Sequence, residues 1–351
     1  MSKYFSKKFS SLTPYTPGEQ PKERKYIKLN TNESPFPPPA SVVEAAKQNA
    51  SIAQLYSDPE NSKLIEGAAE LFGVKKSQII ATNGSDEVLN FAFMAFCDEA
   101  HPIAFPDISY GFYSVFAQLH RIPYEKIPLK EDFSIDYKDY VGIGKNIVIA
   151  NPNAPTGLCL SLQEVEEIVK SNPDNVVIID EAYVDFGGES AVRLIDKYEN
   201  LLVTQTFSKS RSLAGARLGL GFASESLIKD LQTLRYSTNP YNVNRMTEAA
   251  GVAALSEQSY FMANAKTIME NRAYTKTELE KLGFTVLDSK ANFLFAETKK
   301  VSGQTLYEQL KERGILVRHF NSDRIKNFIR ITIGTKEEMD AFLTAVKEIV
   351  A

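Results

Sequence analysis

Four short apolar runs constrain what this chain can fold into. They are Gln78-Ile79-Ile80-Ala81-Thr82, Ile147-Val148-Ile149-Ala150, Val176-Val177-Ile178-Ile179-Asp180 and Leu201-Leu202-Val203. Runs this short, apolar on successive residues and rich in β-branched side chains, read as strands buried on both faces. Stretches of helical spacing separate them, such as Leu162, Val165, Ile168 and Val169. Strands and helices in alternation give a mainly parallel sheet with helices on both faces. The fold class over residues 41–240 is therefore α/β. In open sheets of this kind, ligands bind at the C-terminal ends of the strands.

The residues at those ends carry the chemistry. Lys209 follows the last run, in Thr206-Phe207-Ser208-Lys209-Ser210-Arg211, and Arg217 comes eight positions later. A lysine there, followed by small residues and an arginine, points to a Schiff-base lysine. Its amine condenses with an aldehyde cofactor, and its neighbours hold the cofactor's phosphate. A solvated lysine is the ordinary alternative. Asp180 ends its strand where a carboxylate can keep a pyridine nitrogen protonated, although alone it reads equally as a helix cap. Tyr183 is close enough in sequence to reach the same ring. Asn151-Pro152-Asn153-Ala154-Pro155-Thr156-Gly157 is a rigid loop, because its prolines exclude helix. There the Asn153 amide can donate to a phenolate oxygen. Asn83-Gly84-Ser85-Asp86-Glu87 opens a helix expected over 88–96, whose free N–H groups favour a phosphate. A plain Ser or Asp cap would look the same, but four such sites in this order outweigh the separate bland readings.

The set resembles fold-type-I pyridoxal-phosphate enzymes, and within them the histidinol-phosphate aminotransferases. The likeness runs through Leu12-Thr13-Pro14-Tyr15, Leu29-Asn30-Thr31-Asn32-Glu33-Ser34-Pro35, Tyr56-Ser57-Asp58-Pro59 and Ser109-Tyr110-Gly111, besides the motifs above. It ends with Ala291-Asn292-Phe293, Gly314-Ile315-Leu316-Val317-Arg318 and Ile329-Arg330-Ile331-Thr332. The resemblance implies pyridoxal 5'-phosphate on Lys209, with Asp180 at the ring nitrogen and Asn153 and Tyr183 at the ring oxygen. Tyr110 would stack on the ring. Gly84, Ser85, Asp86, Thr206, Ser208 and Arg217 would cradle the phosphate. Tyr56 would reach that phosphate from a second subunit, implying a homodimer with shared sites. Tyr15, Asn32, Arg318 and Arg330 would bind substrate.

The implied reaction is transamination between histidinol phosphate and 2-oxoglutarate, giving imidazole acetol phosphate and glutamate, a step of histidine biosynthesis. An aromatic amino-acid aminotransferase or a threonine-phosphate decarboxylase would use the same scaffold. Departures from the family pattern are Ala154, Gln205, Ser210 and Arg211; none removes a cofactor contact.

The remaining features bound the partners and the domains. A net charge of −4 gives no electrostatic reason to expect nucleic acid, and nothing before the core reads as a helix-turn-helix, which argues against a cofactor-binding regulator. Cys97 and Cys159 read as reduced, and His101, His120 and His319 lack metal-ligand spacing. No apolar run approaches a membrane span and the basic N-terminus lacks a signal-like apolar stretch, so a cytoplasmic enzyme with small-molecule substrates is expected. Residues 1–40 read as a proline-rich arm packing on the small domain and on a partner subunit. A large cofactor-binding domain is expected over 41–250 and a small α+β domain over 251–351. Within these, 241–282 reads as almost continuously helical. Strands are expected at 284–287, 293–295, 315–317 and 328–331, and helices at 302–313 and 335–349.

Overall fold

The computed structural model describes residues 2–351. The arm contributes β1 (Ile27–Lys28) and leads into α1 (Ala40–Ala50) and α2 (Ser62–Phe72). Then come β2 (Ile79–Thr82), α3 (Ser85–Phe96), β3 (Ile103–Pro106), α4 (Phe112–His120) and β4 (Tyr124–Ile127). The central run is β5 (Asn146–Ala150), α5 (Leu162–Ser171), β6 (Val177–Asp180), β7 (Leu201–Thr206), β8 (Gly219–Ala223), α6 (Glu225–Thr238) and α7 (Arg245–Ser256). The C-terminal part holds α8 (Gln258–Lys281), β9 (Phe284–Val286), β10 (Phe293–Thr298), α9 (Gly303–Glu312), β11 (Ile315–Leu316), β12 (Arg318–His319), β13 (Phe328–Thr332) and α10 (Lys336–Val350).

The large sheet has the order β2-β8-β7-β6-β5-β3-β4. It is the α/β sheet expected, with one strand reversed: β8 pairs antiparallel with both β2 and β7. Side chains alternate between its two faces, as the pleat requires. Ile147, Ile149, Val177 and Ile179 pack with α2, α5 and α7 on one face. Val148, Ile178 and Leu202 pack with α3, α4 and α6 on the other. Both layers exclude water from the central strands, so these strands read as unbroken apolar runs. Helix α5 starts at a capping box, in which Ser161 and Glu164 satisfy each other's backbone N–H.

A second core lies under the antiparallel sheet β12-β13-β10-β9, with α8, α9 and α10 against it. The helical stretch expected over 241–282 is two helices, interrupted at Glu257. The changeover between cores falls inside α8, where Phe261 joins the large core and Ala265 and Ile268 join the small one. The expected boundary at 250 would cut α7, whose Ala250, Ala254 and Leu255 all pack in the large core. The arm crosses to the small side: β1 pairs parallel with β11, and Leu29 is buried in the second core.

One close approach joins the sheet to the turn before α3. A Cβ added at Gly219 would lie 2.3 Å from Ser85 N and 2.4 Å from Gly84 C. Backbone cannot yield as a side-chain tip can, so Gly219→Ala is expected to cost about 1–3 kcal/mol by overpacking. The check is the urea unfolding midpoint, which should fall against wild type with the slope unchanged.

Candidate active site

Two adjoining cavities open where β5, β6 and β7 end. One, of about 290 Å³, is lined among others by Ser85, Asp180, Thr206, Ser208 and Arg217. The other, of about 480 Å³, is lined by Tyr15, Asn30, Arg318, Phe320 and Arg330 among others. Thr31, Tyr110, Ala154, Tyr183 and Lys209 border both. Lys209 stands between them, its Nζ 3.3 Å from the Thr31 carbonyl, to which it donates, and 5.7 Å from the centre of the Tyr183 ring.

The first cavity has a cationic end. Gly84 takes φ +83°, and a Cβ there would lie 2.6 Å from Arg217 Nη2, so only glycine leaves the guanidinium its place over the turn. Arg217 Nη2 donates to Asp86 Oδ2 at 3.1 Å and Nη1 to Ser208 Oγ at 3.5 Å. Thr206 Oγ1 donates to Ser208 Oγ at 2.9 Å. Ser85 and Asp86, in the first turn of α3, line the same cavity. Asp86 meets this corner with its carboxylate as well as its backbone, because Tyr110 Oη also donates to its Oδ1, at 2.8 Å.

The other end is anionic and dry. Asp180 is 4% exposed. Its Oδ2 accepts from Tyr113 Oη at 2.9 Å and its Oδ1 from Thr204 Oγ1 at 3.2 Å. No cation pairs with it among the described residues, and burial pushes its carboxyl up to about 6 despite those hydrogen bonds. A buried carboxylate without a counter-charge, facing a cavity whose far end is cationic, fits a ligand with a protonated ring nitrogen and a phosphate.

Asn153 is buried behind Ala154 and Pro155. Its Nδ2 donates to Ile108 O at 3.0 Å and Thr156 Oγ1 at 3.1 Å, and its Oδ1 accepts from Ser109 Oγ at 2.8 Å. It reaches the ring oxygen assigned to it only by exchanging one of these partners. Tyr183 Oη is nearer the chemistry and accepts from Asn32 Nδ2 at 3.0 Å. Asn32 is locked in turn, at φ 58°: its N donates to Thr332 Oγ1, its Oδ1 accepts from the same hydroxyl, and its carbonyl accepts from Asn292 Nδ2. Asn32 therefore ties the arm, the small sheet and Tyr183 together.

In the second cavity Arg330 donates from Nη2 to Asn30 O at 2.9 Å, while its buried Nε has no partner. Arg318 is held by the arm, through the Thr16 and Pro17 carbonyls at 3.2 and 3.3 Å. Tyr15 stacks on Phe112 at 4.4 Å and meets Tyr110 edge-on at 6.1 Å. Tyr56 stands apart from both cavities. It is 76% exposed and stacked on Tyr241 at 4.4 Å.

Sequence reasoning missed Tyr113 and Thr204, the two hydroxyls that hold Asp180. One signal was available for each: Tyr113 lies three residues after Tyr110, and Thr204 is the first polar residue after the apolar run Leu201–Val203. It also assigned no task to Glu33, which borders the first cavity.

The family model for aminotransferase class I and II matches residues 24–346. A histidinol-phosphate aminotransferase of Brachyspira hyodysenteriae is 51% identical over 352 residues, covering 100% of this chain and 99% of that protein. One from Clostridium acetobutylicum is 46% identical over 352 residues and covers 100% of each. Among solved structures, a histidinol-phosphate aminotransferase from Sinorhizobium meliloti in complex with pyridoxal-5'-phosphate matches with a TM-score of 0.86. That match covers 93% of this chain and 92% of the other at 24% identity, a likeness of fold.

The Asp180 environment has a consequence for stability. Its carboxyl is raised in the folded state, so between about pH 4 and 6 the folded protein binds more protons than the unfolded one. Stability from this group is therefore present at low pH and lost as pH rises through 6. In the unliganded protein, Asp180→Asn should be more stable than wild type at pH 8 by about 1–3 kcal/mol, and no more stable at pH 4. Urea unfolding at the two pH values checks it.

Proposed function

This chain belongs to the class I and II aminotransferases, and we propose that it transfers an amino group between histidinol phosphate and 2-oxoglutarate, giving imidazole acetol phosphate and glutamate. The observation that carries the reading is full-length identity of 51% to a histidinol-phosphate aminotransferase, together with two arginines lining the cavity that adjoins the one holding Asp180 and Arg217. The relatives do not favour an aromatic amino-acid aminotransferase or a threonine-phosphate decarboxylase. No helix among the described residues is long and apolar enough to cross a membrane. The reading places the enzyme in the cytoplasm, with small-molecule substrates and no nucleic-acid or membrane partner.

Pyridoxal 5'-phosphate, when bound, supplies an aldehyde for the amino group and a protonated ring that draws electron density from the reacting carbon. The chain does the rest. Arg217, Ser208, Thr206 and the N–H groups of Ser85 and Asp86 at the start of α3 would hold the phosphate, with charge-assisted bonds worth about 1.5–3 kcal/mol each. Asp180 holds the proton on the ring nitrogen, which gives the buried carboxylate the cation it lacks. Tyr183 serves the ring oxygen, as does Asn153 if it gives up Thr156. Tyr110, which lines the same cavity, would pack on the ring. Lys209 Nζ, which borders both cavities, would hold the cofactor and would serve as the general base and acid for the substrate's proton.

Arg330 lines the second cavity, and its buried Nε lacks a hydrogen-bond partner. Burial pulls its guanidinium below the ordinary value, and an anionic substrate group offsets that cost. Arg318, Tyr15 and Asn32 complete the pocket. That pocket has to take the α-carboxylate of glutamate in one half-reaction and the phosphate of histidinol phosphate in the other. A guanidinium fork suits both.

Incubation with 2-oxoglutarate and each candidate donor tests the reading. Glutamate should form with histidinol phosphate, and no carbon dioxide should be released from threonine phosphate; preference for phenylalanine in competition would overturn it. Arg330→Lys should weaken both glutamate and histidinol phosphate, roughly tenfold or more, because a point charge replaces a fork. Steady-state KM values for each substrate provide the check.

The assembly is proposed to be a homodimer in which Tyr56 reaches the partner's phosphate site. Two features support it: Tyr56 is exposed and far from its own chain's cavities, and Val43, Leu55, Tyr241 and Met246 are also exposed. Lys209→Ala and Tyr56→Ala should each be crippled alone. In a purified mixed dimer one site carries both lesions and the other neither, so activity of about one site per dimer should return. No rescue would place Tyr56 in its own subunit's site.

A further inference from the structure

Glu33 borders the cavity of Lys209, on the arm segment that follows β1. Its Oε1 accepts from Lys28 Nζ at 2.5 Å. Its Oε2 accepts from Thr31 Oγ1. The Thr31 carbonyl accepts from Lys209 Nζ at 3.3 Å. A single residue, Thr31, thus touches the lysine amine through its backbone and the carboxylate through its side chain.

We propose that Glu33 is a positioning residue that sets the proton affinity of the Lys209 nitrogen, and that Lys28 trims its influence by pairing with it. The proposal rests on the reading that Lys209 carries the cofactor. The lysine nitrogen has two duties with opposite demands. It favours a proton while it is linked to the cofactor, and it must be free of one when it acts as base. A carboxylate near it, partly offset by a cation, tunes the balance between these states.

The charges on Glu33 are arranged for this. Burial pushes its carboxyl up, but the hydrogen bonds from Lys28 and Thr31 and the charges of Lys28 and Lys209 outweigh burial and leave it below its usual value. The carboxylate is therefore ionised across the working range. The other groups facing the lysine are the Tyr183 ring, and across the cavity Asp86, Tyr110, Asp180 and Arg217. Tyr15, Arg318 and Arg330 face it from the adjoining cavity. Behind it, Ser210 is bonded to Asp185, and Arg211 to Gln258. All of these except Tyr15 belong to elements other than the arm. Glu33 and Lys28 arrive with β1, so seating of the arm and the proton affinity of the lysine are linked.

The test is a pH titration of the holoenzyme's visible cofactor absorbance, without substrate, for wild type, Glu33→Gln and Lys28→Met. Glu33→Gln should lower the midpoint by roughly half to one pH unit, and Lys28→Met should raise it by roughly half a unit. Opposite shifts are the signature of charge, because a merely structural loss would move both variants the same way. Shifts of the same sign, or unmoved midpoints, overturn the proposal. If Glu33→Gln fails to fold, Lys28→Met decides alone: an upward shift supports the proposal and its absence overturns it. A wild-type protein with no such band, or a band that survives in Lys209→Ala, would instead overturn the cofactor assignment itself.

Discussion

The site depends on the in-register pairing of β5, β6 and β7. Ala150 lies opposite Asp180, and Asp180 opposite Thr204. That register sets a carboxylate beside the hydroxyl that holds it and level with the loop carrying Asn153. A slip of one residue would turn Asp180 to the opposite face of the sheet, and Thr204 away from it. Register of this quality needs a reason, and the two apolar layers supply it. Each strand buries alternate residues on both sides, so any slip exchanges two well-packed faces for two poorly packed ones. The core energy is thus what positions the catalytic groups.

A second dependence is polar. Asn32 makes contact with β13, with Asn292 before β10, and with Tyr183 after β6. Its backbone sits in the left-handed region, where asparagine is among the few side chains tolerated. These bonds join groups contributed by the arm and both domains, in a place where water is largely excluded. Buried polar groups left unpaired would cost about 1–3 kcal/mol each. The arm is thereby fixed close enough to present Thr31 and Glu33 to the lysine. The Arg318 contacts with Thr16 and Pro17 extend the same seam toward Tyr15.

Much of this was legible in the sequence because it is local. Lys209, Asp180 and Gly84–Asp86 each sit at the end of a recognisable strand or within four residues after it, and strand plus turn specifies their place. The reversal of β8 was not legible, since Gly219–Ala223 has the same apolar character as a parallel neighbour and direction is set by the connection. Tyr113 and Thr204 were missed because their partner, Asp180, is 67 and 24 residues away. The break at Glu257 carries no proline or glycine, so periodicity ran through it. The boundary at 250 was misplaced for a related reason: α8 belongs to both cores, and the sequence period does not say which core a turn faces. The exposure of Tyr56 was not readable from spacing either, because it depends on what surrounds the residue.

Asn32 and Thr332 are 300 residues apart, and their bond has a consequence for how the chain matures. Synthesis proceeds from the N-terminus at about 5–20 residues per second. At that pace the arm waits on the order of 15–60 seconds for the strand that receives it. During this interval the large sheet can assemble, since β2 through β8 have already emerged, but the arm has no docking partner. Arg318 and Arg330 also arrive in the last stretch to emerge. A nascent chain can therefore hold Arg217, Ser208 and the turn before α3 in place long before Arg318 and Arg330 line the second cavity. The competent enzyme is a property of the finished polypeptide, and a truncation near the C-terminus would unseat the first thirty residues together with the last twenty.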